Sequence, residues 1–215
     1  MAPSRRIWLA AGAAVLAAPA LLPAARAATV LPAMTEGPFY PPRRWRDSFP
    51  GGGDWDADLT RTSGLAPAQG EHLALTLELA DTQGRQIDDA EVEIWQCDAL
   101  AAYRHPSVGL APGRHDPGFQ GFGAARSGRD GSLRLRTIRP VPYPGRTPHI
   151  HVTLRHPAFG EITSQLFVAG DAGNARDFLW RRLDARAQAA LAMTLQPAEG
   201  DGLRWQARHR LVVPA

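Results

Sequence analysis

The stretch Tyr143-Pro144-Gly145-Arg146-Thr147-Pro148-His149-Ile150-His151 gathers a phenol, a guanidinium and two imidazoles into nine residues. In an extended strand successive side chains alternate between faces, so His149 and His151 point one way while Ile150 and Val152 point the other. Two imidazoles thus aim at one point, and the residues between and after them enter a different layer. Tyr143 stands between Pro142 and Pro144. Each proline locks its own φ and restricts the residue before it, which fixes the phenol just upstream of the same point. Taken alone, a His-x-His pair is more often solvated on a strand face than ligating.

Outward from this stretch, short apolar runs alternate with Gly, Pro and Asp clusters. Leu73, Leu75, Leu77 and Leu79 alternate with Ala74, Thr76, Glu78 and Ala80, the period of a half-buried strand, and a turn follows at Asp81-Thr82-Gln83-Gly84. Strand-like runs recur at 91–97, 132–137, 149–154, 162–168 and 203–213. The pattern predicts an all-β fold, a single-domain β-sandwich with long loops. One helix near the C-terminus is expected over 175–193, where Phe178, Leu179, Leu183 and Ala187 fall at helical spacing. Residues 28–70, rich in Pro, Gly, Asp and Arg without sustained periodicity, read as an irregular N-terminal arm laid over a sandwich of residues 71–215.

Residues 1–27 carry the marks of a cleaved export signal: Arg5-Arg6 in a basic head, an apolar stretch from Ile7 to Leu22, and Ala25-Arg26-Ala27 as a small-residue cleavage site. Ser4-Arg5-Arg6-Ile7-Trp8-Leu9 is twin-arginine-like, the address of proteins exported already folded, so a periplasmic or secreted location is expected. Pro19 and Pro23 interrupt the apolar stretch, which falls short of the about 20 residues of a stable membrane span. The chain has 24 basic and 21 acidic residues, and residues 1–27 hold Arg5, Arg6 and Arg26 but no acid. The remainder is therefore balanced at 21 of each sign and gives no basis for nucleic-acid binding. About 188 residues suffice for one domain with a substantial core. A single cysteine, Cys97, excludes an internal disulfide, and its neighbours Ile94, Trp95 and Gln96 mark it as a small buried apolar residue.

The second of three tyrosines, Tyr103, follows the strand-like run from Ala90 to Asp98. Val92-Glu93-Ile94-Trp95-Gln96 ahead of Tyr103, then Arg136-Thr137-Ile138-Arg139-Pro140 leading into Tyr143-Pro144-Gly145-Arg146 and His149-Ile150-His151, resembles the intradiol aromatic-ring-cleavage dioxygenases, particularly the protocatechuate 3,4-dioxygenase branch. Thr35-Glu36-Gly37-Pro38-Phe39-Tyr40-Pro41 is similar to the arm that borders the active site in that family. The resemblance runs from about Thr35 to the C-terminal strand.

The resemblance implies Fe(III) bound by Tyr103 and His149 as equatorial ligands, Tyr143 and His151 as axial ligands, and a solvent hydroxide. The donor chemistry agrees. Free tyrosine titrates at about 10, so two phenolates at neutral pH need a strong positive charge beside them. Zinc prefers cysteine and histidine, and the ferrous facial triad needs a carboxylate beside two histidines. The resemblance further implies that a small-molecule catechol, protocatechuate-like or catechol-like, is opened with O2 between its hydroxyl-bearing carbons to a cis,cis-muconate without external reductant. In that scheme Tyr143 receives a substrate proton on release, Arg146 matches the arginine that stabilises charge developing on the substrate, and Gln165 matches a glutamine behind the ligands. Two other readings stay open: copper held by the two histidines, and a non-catalytic exported β-sandwich binding module. A homo-oligomer is also left open.

Other residues carry less. His72, His105, His115, His156 and His209 read as solvated, and His115-Asp116 near Ser107 offers triad chemistry without a nucleophile elbow. Arg43, Arg44 and Arg46 read as a solvated charge run, with a substrate carboxylate as the functional option. Ala101 stands where the family pattern usually has glycine, and Ser127-Gly128 replaces a more usual Thr-Asp.

Overall fold

The computed structural model describes residues 28–42, 46, 55–108 and 113–215. The export signal of residues 1–27, together with Arg43 and Arg44, lies outside the described residues. The strands are β1 (His72–Asp81), β2 (Glu91–Trp95), β3 (Phe122–Arg126), β4 (Ser132–Ile138), β5 (His149–His156), β6 (Gly160–Val168), β7 (Ala192–Met193), β8 (Gln196–Pro197) and β9 (Trp205–Val213). They form one sheet of order β4-β1-β9-β8 and a second of order β3-β2-β5-β6-β7. Most pairs are antiparallel, but β1 with β9 and β6 with β7 run parallel.

Strand alternation builds the core. Leu73, Leu75, Leu77 and Leu79 of β1 face inward from one sheet, and Val92, Ile94, Ile150, Val152, Leu154 and Leu166 join them from the other. Each such side chain removed from water contributes about 1.5–3 kcal/mol against the entropy of ordering. The same alternation turns Glu93, Trp95, His149, His151 and Gln165 to the outer face of the second sheet, where Trp95 pairs with His151 and His151 with Gln165 across the strands. The segment 28–42 has no regular strand or helix; Leu31 N donates to the Val212 carbonyl of β9 and the Leu31 side chain enters the core, while the part from Thr35 to Tyr40 lies over that face. Its Thr35 carbonyl accepts from Gln165 Nε2 at 3.0 Å, and its Tyr40 hydroxyl donates to Glu93 at 2.6 Å.

The expected helix over 175–193 is not one helix. The region holds two 3-10 turns, Asn174–Arg176 and Trp180–Arg182, and then the seven-residue α1, Ala185–Leu191. Two aspartates break it. The Asp177 carboxylate accepts from the Leu179 and Trp180 N–H groups, and Asp184 accepts from Ala187 N at the α1 N-terminus, so side chains take hydrogen bonds that a continuous helix would make. Phe178, counted on the apolar face, is 52% exposed.

Strand β3 lacked a sequence signal. Phe122-Gly123-Ala124-Ala125-Arg126 has small residues and little alternation, because a Cβ at Gly123 would lie 2.2 Å from the Asp56 carbonyl oxygen. The close approach of the segment around Asp56 and Leu59 demands the gap.

Candidate metal centre

His149 opens β5 and His151 follows two residues later; both are 2% exposed. The Thr147 carbonyl lies 2.7 Å from His149 Nδ1 and can only accept, so Nδ1 carries the proton and Nε2 presents its lone pair. That Nε2 faces the Nε2 of His151 at 3.2 Å. Burial, aided by Arg146, pushes His149 down to about 4. Burial, with His149 and then Arg146, holds His151 well below the usual histidine range. Both rings are neutral at pH 7, the form that binds metal.

The two phenols arrive from loops. Tyr143 begins the turn Tyr143-Pro144-Gly145-Arg146, in which Arg146 N donates to the Tyr143 carbonyl at 2.9 Å and Gly145 adopts φ +83°. Proline followed by a glycine at positive φ is the chemistry of a type II turn, and it brings Arg146 back beside the phenol that starts it. Arg146 Nη1 lies 3.4 Å from the Tyr143 hydroxyl. Tyr103 follows a loop fastened by Asp98, whose carboxylate accepts from Leu100 N and Ala102 N, both at 2.9 Å. Within it Ala101 takes φ +63°, the left-handed conformation that explains a glycine preference at this position.

The rings of these four residues converge. Tyr103 and Tyr143 centroids are 5.5 Å apart, Tyr143 and His149 5.5 Å, Tyr103 and His151 6.1 Å, and His149 and His151 4.8 Å. Two buried polar atoms among them lack a hydrogen-bond partner, the Tyr103 hydroxyl and His151 Nδ1. Burial, reinforced by Tyr143 and Cys97, raises the Tyr103 phenol well above its ordinary range. With protein groups alone this phenol stays protonated and unsatisfied, an arrangement that costs free energy. Among the described residues no cluster of three or more His, Cys, Asp or Glu is arranged to hold a metal. A donor set here must therefore include the phenols.

Behind the ring cluster, Arg146 donates from Nη2 to Gln165 Oε1 at 2.6 Å and from Nε to Asp177 Oδ2 at 2.8 Å. Asp177 belongs to no motif and lies inside the helix expected over 175–193, so no local signal singles it out. Trp95 belongs to the strand motif that carries the family resemblance but was given no role at the site, yet its indole stacks on His151. Phe39 stacks on Tyr103 with centroids 4.6 Å apart, and Gly37, at φ +75°, leaves room for a Cβ only 3.4 Å from His151 Cε1. The arm closes directly over the cluster.

Several expectations need correcting. Arg46 is neither solvated nor aimed at a ligand: it is 8% exposed, pairs with Glu93 at 2.9 Å, donates from Nε to the Pro41 carbonyl and lies 3.7 Å over the Trp55 ring. Burial favours such pairing, because an isolated charge there would be costly. His209 is also buried, its Nε2 2.9 Å from the Ala190 carbonyl. Among the described residues, Ser107 and Asp116 have other partners. The Ser107 hydroxyl meets His105 Nδ1 at 2.8 Å, while the Asp116 carboxylate accepts from the backbone N–H groups of Gln69 and Gly118. Ser127 bridges Ala90 N and the Ile87 carbonyl, so its replacement of threonine keeps the hydroxyl in use. Cys97 is buried as expected, with its thiol pushed up to about 12 by burial and by Asp98.

A family model described as Dioxygenase matches residues 36–208, which include every residue of the ring cluster. The chain belongs to the intradiol ring-cleavage dioxygenases. Among related members of this family is the protocatechuate 3,4-dioxygenase beta chain of Burkholderia cepacia, 32% identical over 128 residues that cover 55% of this chain and 54% of that one. Another is the 6-chlorohydroxyquinol 1,2-dioxygenase of Cupriavidus pinatubonensis, 29% identical over 122 residues covering 48% of this chain and 42% of that one. The chain thus spans about half the length of these relatives or less. The dioxygenase domain of a dioxygenase carbohydrate-binding fusion from Streptomyces sp. SirexAA-E superposes with a TM-score of 0.62 at 27% identity, over 87% of this chain and 99% of that one. An intradiol ring-cleavage dioxygenase from Tetranychus urticae shares the fold at TM-score 0.62 and 20% identity, over 86% of this chain and 95% of that one.

Intradiol dioxygenases are generally iron-dependent. The cluster suits Fe(III): neutral imidazole nitrogens face each other, and a buried phenol without a partner gains one as a phenolate on a trivalent ion.

Proposed function

We propose that the protein is an exported non-haem Fe(III) intradiol dioxygenase that opens a catechol with O2 between its two hydroxyl-bearing carbons to give a cis,cis-muconate. One observation carries the reading: Tyr103, Tyr143, His149 and His151 converge in a buried cluster whose Tyr103 hydroxyl has no protein partner. These four residues would hold the iron. Its chemistry, when bound, is chelation of both catechol oxygens and activation of the electron-rich ring toward dioxygen. Export is supported by Arg5-Arg6, the apolar stretch and the Ala25-Arg26-Ala27 site.

The side chains supply the remaining parts. His149 and His151 offer neutral nitrogens fixed by the strand. Tyr143, which would be a phenolate beside the metal, would take a catechol proton on its phenolic oxygen, 3.4 Å from Arg146 Nη1. Arg146, held between Gln165 and Asp177, presents a fixed positive charge where negative charge develops on the ring. Phe39, stacked on Tyr103, and Tyr40, edge-on to Trp95 at 4.9 Å, keep water from the cluster. Arg46 is spent on Glu93, so recognition of a ring carboxylate would fall to other groups.

The test is oxygen uptake and product mass on a panel of catechols, with and without a ring carboxylate, without added reductant. A colourless muconate-type diacid is expected. A yellow semialdehyde would sink the intradiol assignment, and no uptake by iron-loaded protein would favour a binding module.

A further inference from the structure

The geometry points to Asp177 as a positioning residue that orients both the Arg146 guanidinium and the loop leading into His149. The inference rests on the dioxygenase reading for its link to turnover. The Asp177 side chain is 0% exposed and its two oxygens divide their work. Oδ1 accepts from Leu179 N at 2.9 Å and Trp180 N at 3.0 Å, which anchors the carboxylate to its own 3-10 turn. Oδ2 accepts from Arg146 Nε at 2.8 Å and from Thr147 N at 3.0 Å. Burial alone would raise this carboxyl, but the Trp180 and Thr147 N–H groups and Arg146 outweigh it and keep it below its ordinary range.

Two links run onward from that oxygen. With Nε fixed, the guanidinium plane turns its Nη atoms away from Asp177, Nη2 to Gln165 and Nη1 to Tyr143. An arginine held at only one edge would swing among rotamers. The second link is Thr147, which also donates from Oγ1 to Asn174 at 2.8 Å and whose carbonyl accepts the His149 Nδ1 proton. One carboxylate therefore steadies the cation and, through Thr147, the tautomer-setting carbonyl. Gly173 completes the fit, since a Cβ there would come within 2.8 Å of Thr147 Oγ1.

The experiment compares iron-loaded wild type with Asp177→Asn, Asp177→Glu, Arg146→Ala and the Asp177→Asn/Arg146→Ala double variant. Asp177→Asn should keep its tyrosinate-to-iron band within a few nanometres of wild type. Its kcat should fall about 10–100-fold with KM within about threefold, and the double variant should be no slower than Arg146→Ala. Phenylglyoxal labelling of Arg146, mapped by peptide mass, should run about tenfold faster or more in Asp177→Asn. Asp177→Glu keeps the charge and guards against a misfolded Asn variant; it should fall between the two. Unchanged kcat and unchanged labelling, or losses that multiply in the double variant, would overturn the assignment. A wild type that consumes no oxygen with any catechol would defeat the dioxygenase reading itself, and the labelling rates would then decide the role of Asp177 alone.

Discussion

The indole of Trp95 lies flat against the imidazole of His151, with centroids 4.8 Å apart and planes 13° from parallel. They are cross-strand partners of β2 and β5, so strand register itself supports the ring. Stacked aromatic pairs contribute about 0.5–1.5 kcal/mol beyond their burial. Trp95→Leu should cost about 2–4 kcal/mol in unfolding and release iron faster to a chelator. Wild-type chelator resistance would mean that the β5 backbone alone fixes His151.

Purified protein should carry about one ferric ion per chain and a visible tyrosinate band, and His149→Ala or His151→Ala should remove most of both. Metal analysis and absorption spectra read the outcome. Zinc alone, with failed iron reconstitution, would count against the ligand set.

Arg146→Ala should retain iron and colour while turnover falls on the order of 100-fold. It should also cost stability. Stranding a buried carboxylate typically costs about 3–5 kcal/mol, but Asp177 keeps three backbone N–H donors, so about 1–3 kcal/mol is expected. Full turnover would return Arg146 to a structural role.

Acid should loosen the metal-free protein in two windows. His149 titrates at about 4 and His151 well below the ordinary 6.5, so the unfolded chain binds more protons and stability falls as pH drops below 6.5. For Glu93, burial raises the carboxyl, but Arg46 and Tyr40 outweigh it and lower its pKa below 4.5. Its contribution is complete above 4.5 and is lost as pH falls through the depressed value. Urea midpoints against pH should show both steps, and Glu93→Gln should shrink only the lower one, to which Asp177 also contributes.

Ala101→Gly should stabilise the chain by about 0.5–1 kcal/mol. The left-handed conformation costs alanine about 1–2 kcal/mol, and glycine gives back part of that gain through its freer unfolded chain. Thermal unfolding checks it; a lower midpoint would mean that the alanine methyl packs usefully.

The histidine pair and the leucine strand were legible because period-two alternation is local information; β1 shows it as alternating burial, while in β5 the same alternation of direction leaves both faces buried. The Tyr143 to Arg146 turn was written in Pro-Gly chemistry. Asp177 and Arg46 were not legible, because their partners lie 31 and 47 residues away and no local pattern announces a buried carboxylate or guanidinium. The helix over 175–193 was misread because apolar spacing was weighed without the two aspartates that compete for backbone N–H groups.

Strand β1 is made early in synthesis and β9 late, yet they lie side by side in parallel from Leu73 beside Trp205 to Asp81 beside Val213. While the ribosome is still translating, one edge of β1 therefore offers unpaired N–H and C=O groups, with its leucines open to water. Pairing so distant in sequence closes late and slowly. A premature stop before β9 would thus leave an aggregating chain rather than a weakened fold, although every residue of the ring cluster had already been made.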